Sequence, residues 1–172
     1  MPFDLQPTLR SEILELRPLR ADDFEELYAA ASDPLIWEQH PSDRYKPDVF
    51  RKFFDEALES GGALIAIERK SDQVIGSSRF HCYDLERSEI EIGWTFLARS
   101  HWGGVYNGEM KRLMLTHAFK FVDNVIFFVG STNLRSQRAV EKIGGVRVGA
   151  KTDSNGRESY IFRITRVAYS RQ

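Results

Sequence analysis

Between Glu89 and Gly130 the chain changes its period twice, and those two changes leave few architectures open. The segment EIEIGWTFL alternates, so Ile90, Ile92, Trp94 and Phe96 are expected on one face of an extended chain and Glu89, Glu91, Gly93 and Thr95 on the other. After a junction holding Gly103 and Gly104, Met110, Leu113, Met114, Ala118, Phe121 and Val122 recur at helical spacing. VIFFVG then follows as an unbroken apolar run, the pattern of a strand covered on both faces. A strand, a helix and a second buried strand in this order make a crossover unit, whose two strands lie parallel in one sheet.

The other segments add antiparallel strands and two helices to this unit. EILELRPLR reads as a strand that ends at Pro18. In ADDFEELYAAASDP, Phe24, Leu27, Tyr28 and Ala31 share a helical face behind Asp22 and Asp23, which suit the capping turn. A second helix carries Phe50, Phe53, Phe54, Ala57 and Leu58 and closes at Gly61 and Gly62, and the two helices are expected to neighbour each other. ALIAIER and VIGSSRFHCY read as an antiparallel pair, NLRSQRAVEKIGG as a short helix, and VRVGAKTDSNGRESYIFRIT as a hairpin turning at Asn155 and Gly156. The expected fold is mixed α/β: a single domain over residues 1–172 with a mostly antiparallel central sheet of about seven strands, a parallel pair at its centre, and about four helices.

Composition narrows the function classes. With 172 residues and 42% hydrophobic content the chain supports one core, and a formal net charge of -1 gives no bulk electrostatic argument for nucleic acid or an anionic membrane as partner. No run approaches the ~20 apolar residues that span a bilayer. Cys82 is the single cysteine and no metal-ligand spacing such as C-x-x-C appears, so the expectation is a reducing, cytoplasmic setting and no metal. Cys82, beside aromatic residues in a strand, reads as a buried small hydrophobe, and His81, His101 and His117 as structural side chains.

The stretches LELRPLRADDFEELY with DPLIW, EIGWTFLARSHWGGVYNGEMKRLMLTHAF, NLRSQRAVEKIGG and NGRESYIFRI, in this order, resemble the GNAT superfamily of acetyl-CoA-dependent N-acyltransferases, in particular the branch that includes the ribosomal-protein N-terminal acetyltransferases. The resemblance runs from about Leu14 to Ile164. It implies a splayed parallel pair whose gap takes the pantetheine arm of acetyl-CoA along the edge near Phe96 and Leu97. It also implies a pyrophosphate seat in the loop Trp102, Gly103, Gly104, Val105, Tyr106, Asn107 and Gly108. An amine acceptor, either a small molecule or a protein N-terminus, and a homodimer complete what it implies. The family's loop pattern of Gln or Arg, two residues, Gly, one residue, then Gly or Ala falls on Trp102, Val105 and Asn107, and none of the three matches. Many members carry a tyrosine where this chain has Val140; Ser136 stands where the ribosomal-protein branch has a serine proposed as the acid.

Each candidate has two readings. Gly103 and Gly104 form a tight strand-to-helix turn or bring backbone N–H groups up to a phosphate. Glu91, rather than Glu89, is the candidate base for the substrate ammonium, directly or through water; both also read as solvated strand carboxylates. Glu158 is a further carboxylate and reads as a surface charge. Asn133 contacts the cofactor, caps the helix beside it, or both. Ser136 or solvent protonates the leaving thiolate. Arg135 and Arg138 meet the adenosine phosphate or are solvated. Trp37, His40, Arg44 and Tyr45 lie in the segment that lines the acceptor pocket in the family, where aromatic residues equally read as core.

Overall fold

The computed structural model describes residues 2–172. Its eight strands are β1 (Leu9–Arg10), β2 (Leu14–Pro18), β3 (Ala63–Glu68), β4 (Gln73–Asp84), β5 (Glu89–Leu97), β6 (Asn124–Gly130), β7 (Val146–Thr152) and β8 (Glu158–Thr165). They form one sheet in the order β1-β2-β3-β4-β5-β6-β8-β7. The helices are α1 (Phe24–Ala31), α2 (Pro47–Ser60), α3 (Tyr106–Ala118), α4 (Leu134–Lys142) and α5 (Arg166–Ser170). The two-residue β1 and the five-residue α5 are the elements beyond those the periodicity predicts, both too short to carry a period. Every neighbouring pair is antiparallel except β5 and β6, which the α3 crossover makes parallel.

Two apolar layers sandwich the sheet. On one face α3 buries Met110, Leu113, Met114 and Ala118 against Leu14, Leu16, Leu64, Ile90, Ile92 and Val125. On the other, α1 and α2 pack as expected, with the Phe24 ring edge-on to Phe54 at 5.2 Å and 5.6 Å from Phe50, above Ile65, Val74 and Phe96. Full burial of a side chain such as Phe50 or Leu14 contributes about 1.5–3 kcal/mol, so these layers supply the main stabilisation.

Three expectations from the strand patterns fail, two of them at an irregularity in a strand. Trp94 adopts a φ of +53°, and opposite Ser78 the β5 strand carries one residue too many. The bulge swaps the faces of everything after it. Ile90 and Ile92 point to α3, whereas Phe96 and the flank of Trp94 join the α1/α2 layer, and Thr95 and Leu97 turn toward α3. A second irregularity in β4 puts Cys82 at a φ of +53°, and its thiol is exposed rather than buried. In β6 only alternate residues are buried; Ile126 and Phe128 are half-exposed, so VIFFVG is covered on one face only. The β7–β8 turn is also longer than a two-residue hairpin. Asp153 Oδ1 accepts from the N–H groups of Asn155 and Arg157, and Gly156 alone takes positive φ, +76°.

Lys111 is the exception in the α3 layer. It is 4% exposed, donates to Thr95 Oγ1, and lies 5.9 Å from the Phe127 ring centroid, with no carboxylate in reach among the described residues. Burial pulls its pKa from an ordinary 10.5 down to about 7. The unfolded chain then binds more protons than the folded one between about 7 and 10.5, so this side chain penalises folding below that window and ceases to as pH rises through it. Lys111→Met is expected to stabilise the protein by about 1–4 kcal/mol at pH 7 and by much less at pH 10, read as denaturant midpoints at the two pH values.

Candidate active site

The ladder between β5 and β6 holds only from Glu89 opposite Asn124 to Glu91 opposite Ile126. Beyond that point β6 continues with β8 as far as Gly130 while β5 stays with β4 up to Leu97. The two strands therefore splay, and the β6-facing edge of β5 from Ile92 to Leu97 has no strand partner. One acceptor on that stretch is already occupied: Trp102 Nε1 donates to the Leu97 carbonyl at 2.9 Å.

The loop after β5 runs through a single helical turn, Arg99–His101, into α3. Gly103 supplies the left-handed backbone of the junction, φ +69°, and no atom lies within 4 Å of where a Cβ would sit on Gly103, Gly104 or Gly108. Asn107 is not left-handed; it is the second residue of α3. Val105 stands at the N-cap with no side chain to satisfy the helix, and Val105, Gly103 and Gly104 are exposed. The first N–H to be taken up inside α3 is that of Glu109, on Val105 O, so the amides of Tyr106, Asn107 and Gly108 converge unpartnered at the positive end of a 13-residue helix.

At the end of β6, Asn133 caps α4: its side-chain oxygen accepts from the Ser136 N–H at 3.2 Å, leaving the amide nitrogen to donate elsewhere. The half-buried Ser136 hydroxyl has no hydrogen-bond partner among the described residues. Val140 is buried in the α3 layer, 2.4 Å from where a Cβ on Gly145 would lie, so it serves packing and offers no proton. Arg135 is tied down rather than free for a phosphate: it donates to the Ile36 carbonyl at 2.8 Å, and its guanidinium stacks 4.1 Å from the Trp102 ring. Arg138 is exposed, as is Glu158.

Glu91 sits at the apex of the splay, on the α1/α2 face, and is 8% exposed. Burial raises its pKa from 4.5 to about 7, against the opposing pull of Lys151 and Arg79. Directly across the strand pair is His81, and the left-handed turn at Cys82 brings the thiol to the same side. The donor atoms of His81, Cys82 and Glu91 lie within 4.8 Å of one another. His81 is thus part of the site surroundings rather than a structural side chain alone, and its ring stands edge-on to Trp94 at 5.0 Å. Partial desolvation and the neighbouring Glu91 charge hold the thiol of the exposed Cys82 above its ordinary pKa, and burial and Arg79 hold His81 below its own.

The segment between α1 and α2 closes this face. Trp37 is core: its indole N–H donates to the Ala31 carbonyl and its ring packs 5.2 Å from Phe96. Tyr45 is half-buried and gives its carbonyl to the Tyr28 hydroxyl. Arg44 lies above Phe53, 4.5 Å from the ring centroid, and 5.5 Å from Trp37. Arg79, which sequence reasoning missed, also lies near Phe53: it is 5% exposed, 4.2 Å from the Trp94 centroid and 5.8 Å from that of Phe53. The available signal was one arginine inside the otherwise small or apolar run VIGSSRF. His101 hydrogen-bonds to Glu68 and His117 to the Asp4 carbonyl, both structural as expected. A separate cleft of about 730 Å³ opens between α1, the start of β4 and the turn after β5, and meets this region only at Trp102.

The splayed parallel pair, the uncapped helix start beside it and the asparagine-capped helix opposite all fall within residues 14–146, the stretch that matches the acetyltransferase (GNAT) domain profile. The chain belongs to the GNAT acetyltransferase family. A curated relative, the uncharacterized N-acetyltransferase p20 of Bacillus licheniformis, is 28% identical over 118 residues, 65% of this chain and 66%, just under two thirds, of its own length. Among solved structures, a GCN5-related N-acetyltransferase from Brucella melitensis superposes with a TM-score of 0.87 at 19% identity, covering 98% of this chain and 83% of that one. A Vibrio cholerae protein described as a ribosomal-protein-serine acetyltransferase gives 0.79 at 14% identity, covering 92% and 97%. At these identities the GNAT likeness to the solved structures is one of fold. No helix among the described residues is long and apolar enough to cross a membrane.

Proposed function

We propose that this GNAT protein transfers the acetyl group of acetyl-CoA to a primary amine, on a small molecule or a protein N-terminus, by direct attack within a ternary complex. The observation that carries the reading is the end of β5–β6 pairing at Glu91 and Ile126, which frees a strand edge beside unpartnered helix amides. Pantetheine amides pair with that edge near Phe96 and Leu97 as an added strand would. The pyrophosphate meets the N–H groups between Gly103 and Gly108, in the field of the α3 dipole. The free amide nitrogen of Asn133 suits a pantetheine carbonyl.

For the chemistry, only a neutral amine attacks a thioester. A carboxylate with a pKa of about 7 is half-ionised at neutral pH and well matched to take the proton, directly or through one water. The nitrogen forms its bond to the carbonyl carbon, backbone donors on the β5 edge stabilise the oxyanion, and the C–S bond breaks. Ser136, with its hydroxyl free, or solvent returns a proton to the thiolate. CoA thiolate is a fair leaving group, so holding the two substrates together supplies much of the rate.

Isothermal titration is expected to give micromolar or tighter acetyl-CoA binding, and thiol release is expected with primary amines. Absence of binding would overturn the reading. The burial of Val140 supports a second one, a module that binds acyl-CoA without turnover; it predicts the same titration and no thiol release across a broad amine panel. The homodimer that the resemblance implies is tested by sedimentation of the purified chain.

A further inference from the structure

The wall of the amine side contains two guanidinium groups that no ion pair among the described residues neutralises. Arg79 and Arg44 both lie near the Phe53 ring, 5.8 and 4.5 Å from its centroid, with Trp94 beside Arg79 and Trp37 beside Arg44. Neither has a carboxylate oxygen within 4 Å among the described residues. Arg79 Nε is buried with no hydrogen-bond partner at all. The nearest acids act only at a distance: exposed Glu56, and Glu91, which burial keeps partly protonated. The histidines beside the arginines do not add charge at neutral pH. Burial and Arg44 push His40 down to about 4, and burial and Arg79 lower His81. Further cations, Lys151 and Arg157, act on this region from the β7–β8 hairpin.

A buried donor left unpaired and two like charges held together both cost free energy. Aromatic faces offset part of that cost, but they leave the in-plane Nε–H of Arg79 unsatisfied. A planar, doubly accepting anion suits that donor and the charge of both guanidinium groups. The register fixes where it sits. Arg79 pairs with Gly93 and His81 with Glu91, so Arg79 and Glu91 are diagonal neighbours on one face of the β4–β5 pair. An anion on the arginines therefore lies one small molecule away from the carboxylate that takes the amine proton.

Building on the acetyl-transfer reading, we propose that the acceptor is an amine that carries its own carboxylate close by, a free amino acid, with the carboxylate held by Arg44 and Arg79 and the amino group at Glu91. The same cationic wall rejects polyamines and discriminates against peptide N-termini, whose first carboxyl group is an uncharged amide.

The test compares free amino acids with their carboxamides, which keep the amine and lose the anion, alongside spermidine and an uncharged peptide. Acceptance is read as thiol release from acetyl-CoA. The acids are expected to exceed the amides by about tenfold or more in kcat/KM, mainly through KM, the equivalent of one charge-assisted contact. Arg44→Gln, on a half-buried loop residue, is expected to bring the acid-to-amide ratio of kcat/KM down toward one, the ratio within the variant being the readout. Equal use of acids and amides, or a preference for spermidine or the peptide, overturns the proposal and leaves acetyl transfer standing. If no amine turns over, titration of N-acetyl amino acids against their amides still decides. Binding selective for the carboxylate and lost in R44Q supports the anion seat while the transferase reading falls; no selective binding overturns the seat as well.

Discussion

Glu91→Gln is expected to lower kcat/KM by about 10²–10⁴-fold, the usual worth of a positioned general base, and at the same time to make the protein more stable at pH 8. The two signs follow from one burial. The folded chain holds the Glu91 carboxyl at a pKa of about 7 where the unfolded chain releases its proton near 4.5. Between those values the native state binds more protons, so stability falls as pH rises through the window, and above about 7 the ionised group costs about 3 kcal/mol. Glutamine is isosteric and uncharged, so the variant is expected to escape that loss, with a higher denaturation midpoint at pH 8 and little difference near pH 4.5. Wild-type kcat/KM is expected to rise with pH and level off above about 7, whereas the variant loses that limb and keeps any limb owed to the acceptor's own ammonium. The charges that tune the inflection are Lys151 from β7 and Arg79 from β4. Retention of both rate and inflection in E91Q would remove Glu91 from the chemistry and leave an ordered water as the base.

The element order was legible because it rests on long-range period. Helical stripes such as Phe50, Phe53, Phe54 and Ala57, and the switch from alternating β5 to helical α3 to apolar β6, record which side of each element meets the core. The face that Glu91 occupies was legible for the same reason, since it precedes the bulge, whereas its burial was not. What the period could not reveal lies past the points where a non-glycine residue turns left-handed. Trp94 and Cys82 both adopt φ near +53°, a conformation that side chains of their size rarely take, and no propensity announces it. One turn moves Phe96 into the acceptor-side layer and Thr95 under Lys111; the other brings a cysteine, expected in the core, out beside the candidate base. Arg79 was invisible for a different reason. Its meaning depends on the absence of an acid near it, and absence of a partner is a property of the folded surroundings, not of neighbours in sequence. Likewise the partial exposure of Ile126 and Phe128 follows from the splay, which uncovers the half of β6 that a regular parallel pair would hide.

Val105→Asp separates a phosphate seat from a bare turn, because the two make opposite demands on the same residue. As N-cap of α3, Val105 is 65% exposed and offers the helix no hydrogen bond. An aspartate there accepts from the second or third helical N–H and meets the positive end of the dipole, so the variant is expected to gain about 1 kcal/mol of stability. The same carboxylate occupies the amides from Tyr106 to Gly108 and puts a negative charge where the pyrophosphate is proposed to lie. Acetyl-CoA affinity is therefore expected to fall by about 10–100-fold, a difference of about 1.4–2.7 kcal/mol, as titration calorimetry reads it. Affinity is expected to recover in part at high salt, since the added charge sits at an exposed position. A chain in which Gly103 and Gly104 form only a turn would show the first effect without the second. Loss of affinity together with gain of stability has one simple source: helix amides left unpartnered in the free protein because the cofactor is the partner they are kept for.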